Sequence, residues 1–423
     1  MVDDFSEDND NSEIEDIIDG DNNNLNTPFD NNNFSESSTQ SYGSRIAESF
    51  MGIIFGLLLF IAAFPLLWWN EGNSLRQIKT LDEGKNLVIA IAPNRLDPVN
   101  EGKLVYITGK ASSDEVLNDD IFGVHENALK MNRFVDMYQW KESQTTETHK
   151  NIGGSETKQV SYSYSKEWSS NLINSSSFRH PEGHSNPTSI SYPGQSFVAS
   201  SIKIGAFRLS SEFVDKIDSF NPYQLSEQNF SIMNATLKPF FKLNGGQYFY
   251  GDPSDTQIGS LRVSYNIIRP GDFSVVGKQV DGVIQPYYNK NGNIVLLSGG
   301  IVGADSLFAK EENKNSIMTW LIRLGGFLLM WIGINTILKP ISVLADVLPF
   351  LGSIAGAGIG LVTGIVSFIL SLATIATAWL FCRPLIAVGI FVVAILFFAG
   401  GINMIKNAEK RIKYKLKGKV TTE

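Results

Sequence analysis

Phe50-Met51-Gly52-Ile53-Ile54-Phe55-Gly56-Leu57-Leu58-Leu59-Phe60-Ile61-Ala62-Ala63-Phe64-Pro65-Leu66-Leu67-Trp68-Trp69 decides the fold class. Its twenty residues carry no charge and as a helix cover the ~30 Å hydrocarbon core of a bilayer. The run begins behind an acidic arm and is too long for a cleavable signal, so it reads as a retained anchor with Trp68 and Trp69 at its exit interface. Near the other end, residues 317–405 hold only Arg323, Lys339, Asp346 and Arg383 as charges. No soluble domain has such a surface. Residues 317–338 form a second span stopped by Lys339-Pro340, because proline cannot donate within a continuing helix. Residues 339–353, with Asp346 and Pro349, read as an interfacial linker. Residues 354–381 and 385–405 make spans three and four around a tight Cys382-Arg383-Pro384 turn.

Charge is segregated along the 423 residues, whose formal net charge is −8. Residues 1–48 hold thirteen carboxylates and one arginine, while residues 406–423 hold seven Lys/Arg and two Glu. Basic residues flanking a last span stay cytosolic, which puts the arm in the cytosol too after four spans and leaves residues 70–316 lumenal. The fold class is therefore a multi-pass α-helical membrane protein of four spans with a large, mainly β (α+β) lumenal domain between spans 1 and 2. The acidic, Asn-rich arm offers little to bury, and disorder is expected over residues 1–48, with span 1 at 49–69. The tail reads as a topology anchor, and then as an attraction for anionic lipid.

Cys382 is the sole cysteine, which excludes intrachain disulfides, CxxC redox chemistry and cysteine-based zinc modules. One short basic run after a greasy segment is a poor footprint for nucleic acid, so no nucleic-acid partner is expected.

Within 70–316 the pattern changes to period two. Val160, Tyr162, Tyr164, Lys166 and Trp168 alternate with polar neighbours, residues 134–140 do likewise, and Asn151-Ile152-Gly153-Gly154 turns the chain between them. A long hairpin follows. Further strands are predicted at 87–91, 104–108, 197–202, 261–268, 273–280, 282–288 and 294–297, with a turn at 289–292. A helix is predicted over 211–220 behind Ser210, and another from Ala304 into the second span.

His125, Asp136, Glu142, Glu167 and His184 form the strongest polar constellation, but their spacing matches no metal-ligand or catalytic signature. Structural hydrogen bonding is the favoured reading, and no catalytic residue, metal or cofactor is expected. A lumenal lipid-sensing or metal-dependent enzyme domain using the His125/His184 region is the alternative. Gly352, Gly356, Gly360 and Gly364 recur every fourth residue and line one helix face, suited to close packing either within the chain or between copies. Arg323, six residues into span two, is read as snorkelling to headgroups. Asn174, Asn229 and Asn234 begin glycosylation triplets, whereas Pro187 blocks Asn186.

Several stretches resemble the transmembrane protein 43 (LUMA) family. They include Asn70-Glu71-Gly72, Asn100-Glu101-Gly102-Lys103-Leu104-Val105, Gly123-Val124-His125, residues 135–140 and Gly183-His184 with Asn186-Pro187. Residues 261–264, Met318-Thr319-Trp320 with Arg323, and residues 379–385 continue the match, which runs in one order from about residue 45 to 405. The resemblance implies a four-span protein of the endoplasmic reticulum and inner nuclear membrane. It further implies a scaffold that self-associates and has emerin-like and lamin-like partners, without established catalytic residues.

Overall fold

Two long helices fix the architecture, and both ignore the membrane edge that the greasy runs suggest. The computed structural model describes residues 32–347 and 349–380, with isolated positions between 389 and 396; side chains of the last helix are described from residue 356. Residues 1–31, the Cys382-Arg383-Pro384 turn, all but those isolated positions of the fourth span, and the basic tail lie outside the residues so described, and Gly352 lies in the stretch of the last helix described by its backbone alone. Ser41 opens helix α1 (Tyr42–Leu87) by accepting the Ser44 amide. Its 46 residues reach about 69 Å, far more than the twenty apolar residues alone. Nothing between Asn70 and Leu87 breaks it, and Leu81 and Gly84 are buried on its continuing face. Helix α2 (Ala304–Ala345) starts where expected and enters the second apolar run without interruption. Helix α3 (Pro349–Leu380) returns antiparallel to it. By length and composition, three helices are able to cross a membrane among the described residues.

The expected stop at Lys339-Pro340 does not occur. Pro340 is buried inside α2, which continues to Ala345, so the linker shrinks to residues 346–348. A proline removes one intrahelical bond, and side packing here keeps the helix going through it. Pro349 then sits at the first position of α3, where a missing N–H costs nothing.

The β body has two large sheets, with two two-stranded pairs beside them. Its longer strands are β1 (Asn33–Gln40), β2 (Leu104–Ser112), β3 (Lys130–Lys150), β4 (Glu156–Ser169), β5 (Leu261–Ile268) and β6 (Gly271–Val280). One sheet runs β1–β4–β3–β5 and continues through Gln247–Tyr250 to Phe241–Asn244. In the other, β6 pairs with β2 from Gly271↔Ala111 to Lys278↔Leu104. Alternation places Leu261, Val263, Tyr265 and Ile267 of β5 in the core between the sheets, with Met131, Val135, Ile107, Phe213 and Val275. The opposite face of β2 and β6 presents Leu104 and Val276, which pack with Leu81 of α1, Ile294 and Phe308 of α2. The ends of both long helices thus form a third layer of the body.

Several local expectations change. The predicted strand at 87–91 is cut to Ile89–Ala90 because α1 runs to Leu87. The predicted 211–220 helix is one short turn, Ser211–Asp215, although Phe213 and Ile217 are buried as their spacing requires; Ser210 bonds Glu212 instead of capping. The turn at 289–292 holds, with the Asn289 side chain accepting the amides of Asn291 and Gly292.

The largest departure concerns the arm. Residues 33–40, expected to be disordered, pair with β4 from Asn33↔Ser163 to Gln40↔Glu156. The hairpin is also longer than the sequence suggests, 21 and 14 residues, with the predicted turn at 151–154 between. β1, β4 and the end of β3 form a polar ribbon that projects from the body. Its tip meets the end of the bundle where α1 begins and α2 finishes: Gly153 donates to the Val347 carbonyl, and Tyr42 to that of Leu344. The reading that keeps all of residues 70–316 at one end of the bundle is therefore corrected for the ribbon.

Candidate functional site

At the boundary between the apolar run and the β body, three helices converge on Glu71. Its side chain is 2% exposed and accepts from Arg323 of α2 through Nε (2.7 Å) and Nη2 (2.8 Å). Trp379 of α3 donates its indole N–H to the same carboxylate, and Asn70 contributes a longer bond while also reaching the Thr319 carbonyl. Arg323 carbon Cζ lies 4.7 Å from the Trp320 ring and 5.5 Å from the Trp379 ring, within cation–π range of both. Next to the pair is a 530 Å³ cavity lined by Ser74, Asn315, Thr319 and the two tryptophans among others. Ser74 binds Asn315 and Thr319, and Lys85 pairs with Glu312 further into the body.

Arg323 therefore does not snorkel freely. A lone arginine at mid-bilayer costs about 2.5–3.5 kcal/mol on insertion scales. A bidentate carboxylate at the same depth neutralises it and fixes its plane. Antiparallel α1 and α2, joined by one body, bring the first charge after span one level with the first charge in span two. That geometric rule, applied to Glu71 and Arg323, would have found the pair in the sequence.

A second charged cluster closes the opposite end of the bundle, about 39 Å along α1 from Glu71. Arg45 bonds Asp346 and the Gly154 carbonyl and lies 3.1 Å from Glu156. Lys150 reaches the other oxygen of Asp346 at 2.8 Å. Asp346, 1% exposed, thus joins α1, α2 and the ribbon tip. Burial raises its pKa, but hydrogen bonds from Lys150 and Arg45 outweigh that, and its carboxyl lies below the usual aspartate value.

The predicted polar constellation is only partly assembled. Glu142 accepts from the Tyr164 hydroxyl at 2.5 Å, and His184, buried, stacks on the Tyr164 ring at 4.0 Å. Burial, then the Glu142 hydrogen bond, pushes the Tyr164 phenol up to about 12. Both His184 nitrogens are engaged, by the His180 carbonyl and the Asn32 side chain. Phe34 stacks on His180, so the start of β1 seats on this aromatic group. The other members have separate partners: His125 faces Asp120, Asp136 pairs with Arg262, and Glu167 with Lys141. Among the described residues no three His, Cys, Asp or Glu come together to hold a metal.

The sequence reading missed a buried centre in the body, where Arg133 and Tyr265 both bond Asp119, at 2.6 and 2.7 Å. Burial and the Asp119 charge hold Tyr265 neutral, its pKa raised. Of the glycosylation candidates, Asn174 and Asn234 are exposed. Asn229 is buried in a capping box with Ser226 and donates to the Gly123 carbonyl, which excludes a glycan there.

The glycine ladder faces α2. A Cβ on Gly364 would touch Trp331 at 3.4 Å, one on Gly356 would lie 3.8 Å from Ser342, and the Gly360 carbonyl accepts the Trp331 N–H; nothing lies within 4 Å of a Gly360 Cβ. The tightest approach is elsewhere. Cβ atoms on Gly56 and Gly333 would lie 2.7 and 2.8 Å from the opposing carbonyl oxygen, so α1 and α2 touch backbone to backbone. The Gly52-x-x-x-Gly56 spacing in span one was the overlooked signal.

Apolar helices continuous with a two-sheet body define an integral membrane protein with a membrane-tethered β domain. The family model described as Transmembrane protein 43 matches residues 137–384. Human Transmembrane protein 43 is 32% identical over 82% of this chain and 89% of its own length. The rat protein is 31% identical over 81% and 87%, and the Drosophila homolog 29% over 79% and 89%. The chain belongs to the transmembrane protein 43 family. No solved structure matches it.

Proposed function

We propose that this chain is a non-enzymatic scaffold of the endoplasmic reticulum and inner nuclear membrane, organising protein complexes and helping to maintain the nuclear envelope. The observation that carries the reading is the unbroken passage of α1 and α2 from the apolar bundle into the third layer of the β body, locked by Glu71 and Arg323. A body held this rigidly transmits its orientation to the spans, which suits a scaffold. Four spans place the body in the lumen and the basic tail in the cytosol or nucleoplasm. The spans self-associate, and emerin-like and lamin-like proteins are partners by family resemblance. The separate settings of His125 and His184 favour this reading over a metal-dependent enzyme.

Imaging of the tagged protein, with detergent extraction and crosslinking, tests the proposal. Nuclear-envelope and reticular staining with crosslinked multimers is expected. A monomer confined to the plasma membrane would contradict it.

A further inference from the structure

The cavity beside Glu71 begins just past Trp68 and Trp69, at the level where tryptophans meet lipid head groups. Arg323 bonds Glu71 through Nε and Nη2, so among the described residues its Nη1 has no protein partner. Trp320, 65% exposed on the same cavity wall, likewise has none for its indole N–H. These are two donors for an anion. Ser316 lies one turn from Trp320 towards the body, about 6 Å along α2, and its hydroxyl too is unpaired among the described residues. Beside it the Asn315 amide is anchored on Ser74 at 3.2 Å, which leaves its Oδ1 as an acceptor with no protein partner there. The carboxylates that line the cavity, Glu71 and Glu312, are each already bound to a cation. A second cavity, of 420 Å³, lies deeper between α1 and α3 and is lined by Phe64, Trp68, Leu370 and Thr374 among others. Phe64, Trp68, Glu71, Leu75 and Ile78 follow one another at steps of three and four, so both cavities lie along one stripe of α1. The stripe is polar at head-group level and apolar at chain depth.

We propose that the two cavities hold one phospholipid of the body-side leaflet, with a polyhydroxylated head group. Its phosphate sits against Arg323 and Trp320, its head-group hydroxyls against Asn315 and Ser316, and one acyl chain along Phe64 and Trp68. Each cavity has the size of a small-molecule site. A choline head fits poorly: its methylated ammonium has no hydrogen for Asn315, no unpaired carboxylate awaits it, and Trp320 and Trp379 already offer ring faces to Arg323. Further phosphates on the polyol would meet no unpaired cation among the described residues lining the cavity. The shared chemistry is a phosphodiester of a polyol, which a soluble metabolite could also carry; the apolar cavity is what selects the lipid. The proposal goes beyond the scaffold reading and does not depend on it.

The test measures binding of radiolabelled phosphatidylinositol to the full-length protein, delipidated in mild detergent. Unlabelled phosphatidylinositol is expected to compete, with phosphatidylcholine and the chain-free glycerophosphoinositol each at least about tenfold weaker. Phosphatidylinositol bisphosphate should compete no better than phosphatidylinositol. Ser316→Leu, at an exposed position, and Ala373→Trp, which fills the apolar cavity, should each weaken binding by about tenfold with an unchanged thermal midpoint. Leu321→Trp, 56% exposed on α2 and outside both cavities, should leave it unaltered. No saturable binding, or equal competition by phosphatidylcholine, would overturn the head-group assignment. Glycerophosphoinositol competing as well as the lipid would assign the polar cavity to a soluble phosphopolyol and overturn the lipid. Undiminished binding in either cavity variant that keeps its midpoint would overturn the site.

Discussion

The two charged clusters at the ends of the bundle are built alike and hold different things. Each centres on a nearly inaccessible carboxylate, Glu71 or Asp346, bonded to an arginine from the antiparallel helix. Around Glu71 every partner is helical, so the cluster sets the depth and rotation of three helices. Around Asp346 two partners come from the ribbon, Lys150 and, through Arg45, Glu156. The first cluster holds the bundle together; the second decides where a piece of the β sheet docks on it. Their losses should therefore differ in kind as well as in size.

Glu71→Gln leaves the Arg323 charge without its counter-ion and should cost about 3–5 kcal/mol, the usual loss when one partner of a buried pair is removed. Thermal unfolding in detergent would register this for the whole molecule; an unchanged midpoint would show that Arg323 reaches solvent after all. Gly333→Val drives a side chain into the Gly56 carbonyl and the Phe60 backbone. About 1–3 kcal/mol is expected, against a neutral or slightly favourable Gly360→Ala, whose Cβ meets nothing. Equal effects would mean that the two glycine contacts are not distinguished as described.

Asp346→Asn should act locally, by about 1.5–3 kcal/mol, the range for hydrogen bonds to charged groups. Hydrogen exchange is expected to quicken over residues 150–158 and to stay unchanged over β5. The same docking should depend on pH. Because the folded carboxyl lies below its unfolded value, its contribution is full at neutral pH and fades as pH drops through the ordinary aspartate range towards the lowered value. Docking that weakened instead on going from neutral to alkaline pH would point to another group. The smallest effect concerns mass. Asn174→Gln and Asn234→Gln should each remove an endoglycosidase-sensitive increment if the body is lumenal, and Asn229→Gln should remove none.

Much of this architecture is written in local patterns. The uncharged run at 50–69 announces its helix, period-two alternation announces the hairpin, and Asn289 with Gly292 announces a turn. What escaped depends on partners distant in sequence. β1 lies in an arm whose Asn and acidic content reads as disorder, and its structure comes from β4, some 120 residues on, and from the seat of Phe34 on His180. Pro340 looks like a stop because a proline's local cost is visible and the packing that offsets it is not. Arg323 was noticed as a charge in the wrong place, but its partner is set by the pairing of two helices 250 residues apart. Of the polar constellation, Glu142 and His184 meet through Tyr164, a residue the sequence marked only as a strand position.

The most direct test of rigid coupling between bundle and body is a distance across that junction. Spin labels at Leu58, on the outer face of α1, and at Ser254, in the body, would be measured by pulsed electron resonance in lipid nanodiscs using full-length Cys382→Ser protein. Continuous helices locked at Glu71 predict one narrow distance distribution, broadened by Glu71→Gln. A broad or multi-peaked distribution in the otherwise unaltered protein would contradict it.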